Sequence, residues 1–76
     1  MEKELTLGQE LVGIKFNPDN RDDVHVIKSK FAEVIDILDG LNIDGKTKEI
    51  FVKKAIDEII TAQMWTVKAV TYKGDK

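Results

Sequence analysis

Seventy-six residues contain no cysteine, one proline, one tryptophan, one tyrosine and one histidine. Without cysteine no disulfide can staple the chain, which removes the small secreted disulfide scaffolds. His25 is the only other soft ligand, so no zinc set can be assembled, and neither a metal nor a cofactor is expected. Long apolar runs are missing too: the longest last a few residues, against the roughly 20 that a membrane-spanning helix needs. The acidic start Met1-Glu2-Lys3-Glu4-Leu5 has no apolar stretch of the kind a signal peptide carries. Charge of one sign is also absent. Twelve basic residues face fourteen acidic ones, for a net charge of −2, and no basic face or stripe marks a DNA or RNA binder. These absences predict a soluble intracellular protein with neither a membrane nor a nucleic acid as partner.

A domain this short buries too little surface to be comfortably stable alone. With disulfides and zinc excluded, oligomerisation or very regular helix packing must supply the rest.

The expected organisation is all-α: an N-terminal arm over 1–21, a first long helix over 22–42 and a second over 47–72. In the arm, Leu5, Leu7, Leu11, Val12 and Ile14 fit a short helix or a strand about equally, and Gly8 and Gly13 interrupt both. A helix over Thr6–Leu11 is favoured, with Thr6 as N-cap, Gln9 as its capping-box partner and Gly13 as its end. Asn17-Pro18-Asp19-Asn20 is a turn, because proline fixes its own φ and pushes Asn17 out of the helical region.

The first long helix begins at Asp22 or Asp23, whose carboxylates suit a helix N-terminus. Ile27, Phe31, Val34, Leu38 and Leu41 follow at alternating spacings of four and three, a heptad stripe. Gly40 interrupts it, and Asn42-Ile43-Asp44-Gly45 makes the connection. Thr47 is the expected N-cap of the second helix, whose stripe is Ile56, Ile60, Gln63, Val67 and Val70. So short a connection makes the two helices antiparallel neighbours, a helical hairpin.

Each helix carries more apolar residues than one seam buries. Val24, Ile35 and Ile37 fall off the first stripe; Val52, Ala55, Ile59 and Ala62 form a second line, and Phe51 and Trp65 point elsewhere again. One broad core stripe would absorb some of these. A helix apolar on several faces is buried on several faces, so the reading is a homo-oligomer.

No catalytic set is present. His25 has no serine–aspartate or cysteine partner arrangement around it, and Asp57 and Glu58 are adjacent on a helix, point in different directions and read as a solvated face. The chain is therefore read as a non-enzyme.

Two segments carry the functional reading: Gly13-Ile14-Lys15-Phe16-Asn17-Pro18 before the first long helix, and Ala62-Gln63-Met64-Trp65-Thr66-Val67-Lys68-Ala69-Val70-Thr71 at the end of the second. In order and spacing they resemble the hairpin family of phage proteins that sponge cyclic nucleotides, the anti-CBASS sponge and the related Thoeris anti-defence sponge. The resemblance covers nearly the whole chain. It implies capture of bacterial immune second messengers without cleavage in the host cytoplasm, by a hexamer with pockets between protomers that involve the arm. The chain departs from the family at Thr66, where a small apolar residue is expected, and at Asp19-Asn20, where the turn would continue as Ser-Gly.

A cyclic dinucleotide such as cGAMP needs flat apolar faces for its bases, cations or amides for its phosphates and polar groups for base edges. Phe16 offers stacking, Asn17 an edge contact, and Lys15, Arg21, Lys28 and Lys30 offer charge, with His25 nearby. On residue types alone, Phe16 pins the arm and the lysines are solvated; the resemblance implies ligand contact instead. Lys68 and Thr71 lie one turn apart near the second helix's end. They either complement the helix dipole and bond the local backbone or, as the resemblance implies, ring a symmetry axis that holds a cyclic trinucleotide. Trp65 is read as core or interface before ligand platform, and Tyr72 as an aid to that second site or a cap on the hairpin. The competing reading is a structural or adaptor hairpin with no small-molecule ligand.

Overall fold

The computed structural model describes residues 4–74; Met1, Glu2 and Lys3 of the expected arm and the final two residues lie outside them. The described chain is all-helical, with α1 over Leu7–Val12, α2 over Asp22–Asp39 and α3 over Lys46–Thr71, and it contains no strand.

Local chemistry explains α1. The Gln9 amide donates to the Thr6 hydroxyl at 3.1 Å, and the Thr6 amide donates to Gln9 Oε1 at 2.9 Å, so the expected capping box is formed. Gly13, at φ 67°, ends the helix in a Schellman pattern: its amide donates to the Glu10 carbonyl and that of Ile14 to the Gln9 carbonyl. The helix runs one residue beyond its expected end, to Val12. The strand alternative for this segment is excluded.

The turn at 17–20 forms as expected, with the Asn20 amide donating to the Asn17 carbonyl at 2.8 Å. Helix α2 starts at Asp22, with acidic residues in its first turn. It ends at Asp39, three residues short of the expected 42: the Gly40 amide still makes the helical bond to the Asp36 carbonyl, whereas the Leu41 amide donates to the Leu38 carbonyl, a tighter turn that closes the helix. Helix α3 begins at Lys46, and Gly45 occupies the N-cap position expected for Thr47.

The buried line of α2 also differs from the expected stripe. Val24, Lys28, Ala32 and Ile35 are buried, whereas Val34 and Leu41 are exposed and Ile27, Phe31 and Leu38 only half-buried. The reason is that α1 packs on α2 as well as α3 does, which turns the Val24–Ile35 line inward. The core is Val12, Ala32 and Ile35, with Ile14, Phe31, Ile56, Ile59 and Ile60 packed against it. In α3 the expected stripe is half-buried apart from Gln63, which is fully buried, and Val52 of the second line is buried as well.

Helix α1 comes very close to α2. A Cβ at Gly8 would run into the Ala32 carbonyl, and the Gly8 amide donates to Asp36 Oδ1 at 2.8 Å. That contact and the Lys28 bonds described below tie the arm to α2.

Candidate functional site

The loop between α1 and α2 is organised by side chains that bond its own backbone. Asn17 Nδ2 donates to the Arg21 carbonyl at 2.8 Å, and the Arg21 amide donates to Asn17 Oδ1 at 3.1 Å. The carboxamide expected to read a base edge therefore clasps the loop on both of its polar ends. The Arg21 guanidinium makes a two-bond pair with Asp23, at 3.0 Å from Nε and 2.7 Å from a terminal nitrogen. These bonds hold the Asp23 carboxyl below the usual carboxylate range, opposed by partial desolvation and assisted by the Val24 amide.

Lys28 is the least expected member. It is a lysine with only 5% of its surface exposed, on the buried line of α2. Its Nζ donates to the Gly13 carbonyl at 2.9 Å and the Phe16 carbonyl at 2.6 Å, and it lies 5.3 Å from the centre of the Phe16 ring. Burial pushes its ammonium below the ordinary lysine range. Two of its three donors hold the loop, which presents Phe16 with 72% of its surface exposed. The expectation of Lys28 as a surface phosphate contact did not include this clamp. Its signal in the sequence is the four-residue spacing from Val24 and to Ala32.

These residues surround a concavity of about 230 Å³. Phe16, Asn17, Arg21 and Lys28 line it together with Val24, Pro18 and Asp19, and α3 closes it with Val67 and Thr71. Thr71, expected at a separate site, thus shares the open end of the hairpin with the arm. Its hydroxyl donates to the Val67 carbonyl at 2.8 Å, the local backbone bond that one of its two readings anticipated. Lys15 and His25 are exposed and line none of this concavity.

Lys68 lies elsewhere, in a concavity of about 400 Å³ with Thr61, Met64, Trp65 and Val67. Trp65 is 66% exposed, so within one chain it is not core. A further hollow of about 390 Å³ lies between α1 and α3 and includes Phe16, Lys28 and Val67 of the loop concavity in its wall. At its lining is Gln63, buried, with Oε1 lacking a hydrogen-bond partner. Sequence reasoning placed Gln63 in the α3 stripe and assigned it no part in a site; a polar residue in an apolar stripe was the signal.

Asp57 and Glu58 are exposed, and Glu58 pairs with Lys54 at 3.2 Å along the helix. Among the described residues no three His, Asp or Glu side chains gather as a metal set, and no helix is long and apolar enough to cross a membrane. No family model, curated protein or solved structure matches the chain.

Proposed function

We infer that this protein binds and sequesters cyclic oligonucleotide second messengers without cleaving them, as a phage anti-defence sponge acting in the host cytoplasm. Cyclic dinucleotides of the cGAMP kind are its first ligands, and cyclic trinucleotides are candidates for a second site around Lys68. The observation that carries the reading is the loop concavity. An exposed aromatic ring, a guanidinium, an ammonium and a threonine hydroxyl gather there at the open end of the hairpin. That set supplies a stacking face and positive charge for a base linked to a phosphate. The cations there, Arg21 and Lys28, stand against Asp19 in the same wall and Asp23 paired to Arg21, so a phosphate would be held by direct bonds to the two cations rather than by a net positive field. Self-association belongs to the same reading, since the concavity is open and the chain exposes Phe51, Trp65, Ile37 and Met64.

The polar groups already engaged within the chain favour the second reading, a structural or adaptor hairpin without a small-molecule ligand. Arg21 pairs with Asp23, Asn17 with the Arg21 backbone, and Lys28 with two carbonyls.

One experiment separates the readings. The purified protein is incubated with a panel of cyclic di- and trinucleotides, desalted and denatured, and the released ligand identified by mass. Intact ligand recovered in proportion to protein is the expected result. Degraded ligand would make the protein an enzyme, and no retention would favour the adaptor.

A further inference from the structure

We propose that Gln63 is an adenine-reading residue of the same ligand site, resting on the sponge reading above. The hollow between α1 and α3 shares Phe16, Lys28 and Val67 with the loop concavity and adds Val12, Met64 and Gln63. The two hollows therefore adjoin across the Phe16–Lys28 wall. A ligand carrying two bases can place one on either side.

Gln63 has only 5% of its surface exposed, and its Oε1 is buried without a partner. An unpaired buried acceptor is a standing cost that purely structural roles normally avoid. A leucine at this stripe position would avoid it. Oxygen and nitrogen are the two halves of one flat group, and base reading requires the side chain to turn so that the edge buried in the free protein faces the hollow. A glutamine amide edge matches adenine: oxygen accepts from the N6 amino group while nitrogen donates to N7. That contact satisfies the acceptor that the free protein leaves unpaired. Apolar Val12, Met64 and Val67 provide the flanking surface for the base.

The test compares cyclic di-AMP with cyclic di-IMP, which has the same shape but a carbonyl in place of the N6 amino group, by calorimetry on the whole chain. Wild-type protein is expected to prefer cyclic di-AMP at least tenfold. Gln63→Leu is expected to lower cyclic di-AMP affinity at least tenfold, to lower cyclic di-IMP affinity less because hypoxanthine offers only the N7 contact, so that the preference shrinks towards unity, and to unfold at the same temperature as the parent or higher. Gln63→Met, nearly isosteric, serves if the leucine variant does not fold. A wild type without the preference, or variants that keep it, overturns the proposal. So does a wild type that retains only cyclic di-GMP or cyclic di-UMP, an outcome that leaves the sponge reading standing. If none of the four is retained, the sponge reading falls and Gln63 falls with it. A buried polar group that merely sets hairpin register would alter the unfolding temperature and leave the base preference unmoved.

Discussion

At the residue scale, the arm depends on two contacts that no surface reading of the chain would rank highly. Lys28 is a cation whose first service is to two carbonyls, Gly13 and Phe16. In Lys28→Met the Phe16 carbonyl loses this donor while the Gly13 carbonyl keeps the Phe16 amide, and the unfolding free energy should fall by about 2 kcal/mol, within the range for an orphaned buried group. Urea denaturation measures this, and amide exchange across 13–16 should rise with it. An unchanged midpoint would mean that the lysine is not a clamp. Gly8 meets the Ala32 carbonyl where a methyl group has no room, and the obstacle is backbone, which cannot swing aside. Gly8→Ala should therefore cost about 1–3 kcal/mol by overpacking, or release α1 from α2, seen as lost protection of the Leu7–Val12 amides. Asp23 gives a pH signature. Its carboxyl is lowered in the folded state, first by the Arg21 bonds. Its stabilising contribution is thus complete above the ordinary carboxylate range and lost as pH falls through the lowered value. An NMR titration of Arg21→Ala should move the Asp23 midpoint upward; a midpoint that stays in place would show that the pair does not persist in solution.

At the scale of elements, capping and turn chemistry were the legible part. Thr6, Gln9 and Gly13 act within one turn of chain, and Asn17-Pro18 restricts its own backbone, so each signal needs no knowledge of the fold. Seam orientation was not legible in the same way. The heptad Ile27-Phe31-Val34-Leu38-Leu41 is the more apolar line, yet the buried line is Val24-Lys28-Ala32-Ile35. A charged lysine and a small alanine disguise that line. Its burial comes from α1 folding back over α2, a contact between distant parts of the chain. The candidate site shares this split. Phe16, Asn17 and Arg21 were readable as a loop cluster, while the arrival of Thr71 and Val67 beside them needed the antiparallel register of α3. The capping box supplies a prediction at this scale. Thr6→Ala removes the hydroxyl that receives the Gln9 amide and should cost about 1 kcal/mol, measured by thermal unfolding. Because α1 covers the core residue Ala32, the loss should appear in the global transition rather than as fraying of α1 alone.

At the scale of the whole molecule, the proposed self-association is open to a direct test. The Cα envelope measures 50 × 38 × 12 Å, which is one layer of helices. The accessible surface is 6083 Å², where a compact monomer of 8.6 kDa is expected to show about 4,700 Å². The radius of gyration, 14.4 Å, likewise exceeds the roughly 11 Å expected for a compact chain of this length. Small domains need their apolar surface covered, and here Phe51 and Trp65 are 68% and 66% exposed. Ile59 belongs to the second apolar line of α3, but it packs on the chain's own core. Ile59→Asp would therefore unfold the protomer and say nothing about its neighbours. Phe51→Glu and Trp65→Glu are the informative changes, since neither ring is buried within one chain. Each should keep the parent's helical circular dichroism at low temperature while its mass in sedimentation velocity drops from a multiple of 8.6 kDa to that value, because a carboxylate cannot be desolvated in an apolar contact without a partner. A parent that already sediments at the protomer mass would refute self-association outright. Variants that both retain the multiple would move the contact away from these two rings, onto Val34 and Ile37 of α2 and Leu41 just beyond it.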